Sequence, residues 1–167
     1  MNMKKLGAIL LLIAVLMTGI AACAEESAKV GEEAPDFELT LLSGEPFKLS
    51  EQRGKVVFLN LWATWCPPCV MEMGDIQKLA DAYPEELVVI GASADYEQAT
   101  VEAFIEKNGY TYPIAMDEGF RLGGLLYPTR YIPYSVFISP EGKVVSMDVG
   151  VADYDTMVAR FEVAKGE

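Results

Sequence analysis

Seven residues, Val56-Val57-Phe58-Leu59-Asn60-Leu61-Trp62, are apolar at all but one position and run without a break into Ala63-Thr64-Trp65-Cys66-Pro67-Pro68-Cys69. Such a run, without polar alternation, reads as a strand buried on both faces, and that strand needs a layer packed on each side of its sheet. The chain downstream supplies the layers. Residues 67–83 carry Met73, Ile76, Leu79, Ala80 and Tyr83 at spacings of three and four, with Pro67 at the first helical position and Pro84 as the stop. Residues 87–93 read as a second buried strand. Residues 98–107 read as a helix with Val101, Phe104 and Ile105 inward, closed by Asn108-Gly109. A short edge-type strand over 112–116 and a brief helix over 119–126 follow. A strand over 134–139 then turns at Pro140-Glu141-Gly142-Lys143 into one over 144–150, and a last helix runs over 154–164 behind an Asp153 cap. Upstream, residues 34–41 alternate as a half-buried strand, and residues 47–49 pair back across Ser43-Gly44-Glu45-Pro46. The fold class is α/β: a mixed sheet with helices on both faces and an N-terminal β-hairpin.

Two cysteines stand where the buried strand meets the first helix. A helix start offers unpaired N–H groups and the positive end of the backbone dipole, and both favour a thiolate. Cys66 falls at the exposed start and Cys69 one turn inside. Spacing alone leaves catalytic thiol–disulfide exchange and a static disulfide both open. The chain has no histidine. No Cys/His zinc site or Cys–His catalytic pair can form, and Val70 after Cys69 excludes a CxxCH haem attachment. No metal and no other cofactor is expected.

The N-terminus reads as a leader: Lys4 and Lys5 precede an apolar run over residues 6–22. Its end, Ile20-Ala21-Ala22-Cys23, resembles the lipobox of bacterial lipoproteins, and that resemblance implies cleavage before Cys23 and a lipid on it. An uncleaved anchor and an ordinary signal cut at the small residues are the other readings. All three place the domain on the extracytoplasmic side, and the first makes it lipid-anchored to a bacterial membrane. The organisation expected is a signal peptide over 1–22, a lipidated Cys23 with an acidic tether over 23–33, and one domain over 34–167. Loss of Lys4 and Lys5 with the leader takes the net charge from −12 to −14. So acidic a domain disfavours nucleic acid as a partner.

The motif Trp65-Cys66-Pro67-Pro68-Cys69, with Ile132-Pro133 ahead of a late strand, resembles the thioredoxin superfamily, and more closely its TlpA/ResA/DsbE-like branch of membrane-tethered thiol-disulfide oxidoreductases. Ala34-Pro35-Asp36-Phe37-Glu38-Leu39, Met71-Glu72-Met73 and Ile132-Pro133-Tyr134-Ser135-Val136-Phe137-Ile138 extend the resemblance along the domain. It implies a thioredoxin-like fold and a redox-active Cys66–Cys69 disulfide, with Cys66 attacking and Cys69 resolving. It also implies a cis-Pro133 facing the pair, Ile132 backbone groups that pair with an extended partner, and Trp65 covering the site. In the branch an acidic residue at the position of Glu72 lies near the active site and handles protons; the plainer reading is a solvated helix glutamate. Asn60 holds the position where cytoplasmic thioredoxins carry a buried aspartate. Two departures stand out: Gly74 replaces the usual helix-kinking proline, and Tyr134 follows the cis-proline position.

The activity implied is reduction of protein disulfides, with apocytochrome c, methionine sulfoxide reductase or misoxidised secreted proteins as partners. A membrane electron donor of the CcdA/DsbD type would restore the dithiol. Three alternatives remain open: an oxidant of the same fold, a peroxiredoxin-like thiol peroxidase, and a copper-binding lipoprotein. The peroxidase wants a threonine three residues before the reactive cysteine, where this chain has Ala63 and places Thr64 one residue later.

Overall fold

A computed structural model describes residues 26–166; the leader and Cys23 lie outside the described residues. Strands β1 (Glu38–Thr40) and β2 (Pro46–Lys48) form an antiparallel hairpin. The main sheet contains β3 (Val56–Trp62), β4 (Leu87–Ser93), β5 (Ile114–Met116), β6 (Tyr134–Ile138) and β7 (Val144–Val149), in the order β5-β4-β3-β6-β7. β3 runs parallel to β4 and antiparallel to β6, so it is the central strand, and every one of its residues is buried. The α-helices are α1 (Pro67–Ala82), α2 (Gln98–Asn108) and α3 (Tyr154–Lys165).

Alternation along β3 divides the core. Val56, Phe58 and Trp62 face the helices, where Met73, Ile76, Leu79, Val101, Met157 and Phe161 meet them. Phe58 stacks on its cross-strand partner Phe137 with ring centroids 4.4 Å apart. Val57, Leu59 and Leu61 face the other way, onto Phe37, Phe47 and Leu49 of the hairpin region and onto Leu122, Leu126 and Tyr127. The α-helices thus cover one face, and the hairpin with two short helical turns (Leu49–Gln52 and Leu122–Leu126) covers the other.

Three expectations are corrected. Only Glu38–Thr40 of residues 34–41 is strand, because the backbone bonds of the rest go to scattered partners. Ala34 N–H donates to Gly142, and the Phe37 carbonyl accepts from Leu49. The brief helix over 119–126 is broken at Gly119 and Phe120, both at positive φ (66° and 55°), and a separate turn starts at Leu122. The Asp117 carboxylate starts that turn by accepting from the N–H groups of Leu122 and Gly123. Residues 28–33, read from composition as tether, are docked on the domain: Ala28 is buried and donates to Leu126, and Gly31 donates to Val144.

Gly74 leaves α1 unbroken, on an exposed position where an added Cβ would meet nothing within 4 Å. Gly74→Ala should therefore stabilise the oxidised domain by about 0.5–1 kcal/mol, the helix-propensity difference, without altering exchange activity. Urea unfolding beside a disulfide-exchange assay checks both halves. A loss of stability would show that the glycine is required by the backbone.

Candidate active site

Cys66 is the N-cap of α1, with extended backbone, and its sulfur accepts from the Cys69 N–H at 3.3 Å. The two cysteines are joined as a disulfide with S–S 2.01 Å and Cα–Cα 5.3 Å. Pro67 and Pro68 fill the first two helical positions, where the proline φ suits the helix and the missing donors cost nothing. They also deny the sulfurs two N–H groups. The turn ahead of Cys66 is pinned by Asp95, which accepts from the Thr64 N–H (2.8 Å), the Thr64 hydroxyl (2.6 Å) and the Ser93 hydroxyl (2.7 Å).

The Ile132–Pro133 peptide bond is cis, as the resemblance implied. The Ile132 carbonyl oxygen lies 3.8 Å from the Cys66 sulfur. This loop corrects one expectation, for Cys66 is only 4 % exposed and Cys69 is fully buried. Backbone packed against the sulfur, rather than open solvent, surrounds Cys66 in the oxidised state. Trp65, by contrast, is 62 % exposed. It borders a cleft of about 640 Å³ that Tyr96, Phe120, Arg130, Tyr131 and Ile132 also line. It adjoins Cys66 in the chain and forms one wall of this cleft.

Glu72 is no solvated helix glutamate: it is 1 % exposed, one turn beyond Cys69 on the same side of α1. Its Oε1 accepts from Asn60 Nδ2 at 2.9 Å, and its Oε2 from the Ala152 N–H at 3.0 Å. Burial pushes the carboxyl up to about 7, and the two donors and the Arg160 charge pull the other way without cancelling it. Gly150 N–H also donates to the Pro133 carbonyl at 2.9 Å. Residues 150–152 therefore touch both the cis-proline loop and Glu72.

Cys66, Cys69, Glu72, Ile132, Pro133 and Trp65 are thus brought to one end of the sheet. Sequence reasoning missed Asp95, Ala152 and Arg160. Asp95 lies 31 residues from Thr64 and 80 residues separate Glu72 from Ala152, and no local pattern connects either pair. Among the described residues no group of three or more Cys, Asp or Glu side chains is arranged to hold a metal ion.

The AhpC/TSA family model matches residues 30–147. A thiol-disulfide oxidoreductase ResA of Bacillus thuringiensis is 38 % identical over 127 residues, covering 75 % of this chain and 73 % of that one. A thiol:disulfide interchange protein of the thioredoxin family from Chlorobium tepidum superposes with TM-score 0.72 at 26 % identity, over 83 % of this chain and 99 % of that one. The pneumococcal exposed lipoprotein thioredoxin Etrx1 of Streptococcus pneumoniae superposes with TM-score 0.68 at 27 % identity, over 77 % and 98 %.

A carboxyl raised from 4.5 to about 7 keeps its proton in the folded state at pH values where the unfolded chain has released it. Stability must then fall as pH rises through that window, by about 3 kcal/mol in all. Urea unfolding of the oxidised protein should give a lower midpoint at about pH 8 than at about pH 5, and Glu72→Gln should remove most of that slope. An equal slope in the variant would assign the effect to other groups.

Proposed function

The chain belongs to the AhpC/TSA family, among thiol-disulfide oxidoreductases of the ResA type, and from that premise we propose that it is a lipid-anchored reductase of protein disulfides outside the cytoplasm. A thiol-disulfide oxidoreductase acts on disulfides, and the direction follows from how little the site does for a thiolate. Pro67 and Pro68 donate nothing, so the Cys69 N–H is the backbone donor to the Cys66 sulfur. Above about pH 7 an ionised Glu72 adds a like charge one turn from Cys69. A strongly oxidising pair is one whose reduced form is stabilised; this site withholds that stabilisation.

In the proposed cycle the Cys66 thiolate attacks one sulfur of a partner disulfide, and the partner's other sulfur leaves and takes a proton. The Glu72 carboxylate accepts the Cys69 proton. Cys69 then attacks the Cys66 sulfur and breaks the mixed disulfide, and the partner's second sulfur leaves as a thiolate that takes up the proton Glu72 had accepted. Two electrons pass to the partner and the Cys66–Cys69 disulfide remains. A membrane donor of the CcdA/DsbD type returns the electrons. The extended partner lies along Ile132 and Pro133 against Trp65; apocytochrome c and oxidised methionine sulfoxide reductase are the partners to test first.

The observation that carries the proposal is the buried Glu72 carboxyl, with a pKa near 7, one turn from the inner cysteine. A static disulfide needs no proton exchanged beside it. The peroxidase alternative lacks its arrangement, since the Thr64 hydroxyl is spent on Asp95. The lipid anchor is supported by the residues around Cys23 and by likeness to a protein described as an exposed lipoprotein.

Cys69→Ser should hold partners on Cys66 as mixed disulfides in membrane preparations, and Cys66→Ser should hold none. The wild-type pair should have a potential more negative than about −200 mV; a value near −120 mV would make it an oxidant. For the anchor, Cys23→Ser should move the protein from the membrane pellet to the soluble fraction. Retention in the pellet would favour an uncleaved apolar segment.

A further inference from the structure

On the helix-side face a row of polar side chains crosses three strands beside Glu72. Asn60 on β3 stands directly opposite Ser135 on β6, and Ser135 directly opposite Asp148 on β7. Asn60 and Ser135 are fully buried. Asn60 Oδ1, Ser135 Oγ and Asp148 Oδ2 are all shielded from solvent and make no hydrogen bond to any protein group. Asp148 Oδ2 is 3.3 Å from Arg160 Nε, but without hydrogen-bond alignment, so it keeps lone pairs to spare. Each buried polar atom left unpaired costs on the order of 1–3 kcal/mol. Three of them in one cross-strand row mark a place shaped for something small and polar.

Size and hydrogen-bonding capacity identify the occupant. Strands two apart in a sheet are separated by about 10 Å, so Asn60 and Asp148 flank the much shorter Ser135 across a span that their two side chains and one water can bridge. Asn60 Nδ2 is committed to Glu72, which makes Oδ1 an acceptor on its far side. The Asp148 carboxylate also only accepts, whereas the Ser135 hydroxyl can donate. A water molecule has two protons to give and a lone pair to take the third bond. We propose that one water is bound between Asn60 Oδ1, Ser135 Oγ and Asp148 Oδ2, and that Ser135, by shaping this site, is a positioning residue that keeps the Asn60 amide turned with its N–H towards Glu72.

The consequence falls on the Glu72 proton, and for catalysis it rests on the proton-handling role proposed above. With the amide held, Nδ2 faces the carboxyl and favours its ionised form. With the amide free to turn over, Oδ1 faces the carboxyl instead, and only the protonated form can donate to it. The other groups facing Glu72 are Arg160 on α3, paired with Asp148 of β7, then Tyr112 ahead of β5, and the Cys69 sulfur on α1 itself. Strands β3 and β4 bring no charged residue.

Two substitutions separate the water from the hydroxyl. Ser135→Ala removes the hydroxyl and leaves the space, so the water keeps two of its three bonds and the Asn60 orientation is loosened less than when the space is filled. Ser135→Val removes the hydroxyl and fills the space with methyl groups. Carbon-13 NMR titration of the Glu72 carboxyl in the oxidised full chain should show a midpoint raised by about half a pH unit or more in Ser135→Val, and much closer to wild type in Ser135→Ala. Asn60→Ala, which deletes the donor itself, sets the upper end of the scale. A high-resolution crystal structure should show one water within hydrogen-bond distance of all three atoms, lost in Ser135→Val. Should thermal melting show that Ser135→Val does not fold, Ser135→Thr places a methyl in the same space and is read in its place. Equal, unshifted midpoints in the valine and alanine variants, or a direct Ser135–Asn60 bond in place of the water, would overturn the inference. Failure here leaves the role of Glu72 standing; that role fails separately if Glu72→Gln keeps the wild-type pH profile of disulfide exchange.

Discussion

The two hydrogen bonds that Glu72 accepts hold the working end of this molecule together. One comes from Asn60 on the central strand and the other from the Ala152 N–H ahead of α3. Since Glu72 belongs to the helix that begins at Cys66, its carboxyl joins α1, β3 and the segment that leads into α3. That same segment holds the cis-proline loop through Gly150 and Pro133. Burying a carboxyl without partners would be costly. With two donors in place the group tolerates burial, yet its carboxyl still rises to about 7. In the proposed cycle, structural tie and proton carrier are one side chain.

The apolar strands give this polar contact its precision. Phe58 stacks on Phe137 one alternation along from the Asn60–Ser135 pair, and Trp62 on the other side packs against Phe104 of α2. Large rings on either side of Asn60 restrict where its amide can go. The hairpin and the Leu122–Leu126 turn seal the opposite face. The central strand can thus carry one polar residue without admitting bulk solvent.

Much of this was legible in the sequence. The β3 and β4 spans and the start of α1 match their apolar runs because strands buried on both faces, and a helix led by two prolines, have little local competition. The N-terminal segment read less well. Alternation over residues 36–41 is real, since Phe37 is buried and Leu39 and Leu41 are half-buried between the exposed Asp36, Glu38 and Thr40, but burial does not require ladder partners. Within the site, Cys66, Cys69 and Pro133 were legible from motif and resemblance. Glu72 was legible as a position, but its burial was not, because one of its two donors, the Ala152 N–H, comes from 80 residues away. The low exposure of Cys66 likewise follows from a loop 66 residues distant that lays a carbonyl beside it.

The pairing of an amide with the carboxyl also explains why the proton sits where it does. Two carboxyls within hydrogen-bond distance would share one proton and titrate as a coupled pair, with the site of ionisation divided between strand and helix. Asparagine at position 60 prevents that division: it presents a fixed donor and holds no proton of its own to exchange. Glu72 is left as the buried proton-exchanging group on the helix that carries both cysteines. A charge gained by Glu72 and a charge gained by the Cys69 sulfur then oppose each other across one turn of α1. In the proposed cycle, passing a single proton between them keeps the net charge in that buried volume constant as Cys69 is made ready to attack, and constant charge is what a site closed to solvent can accommodate at least cost.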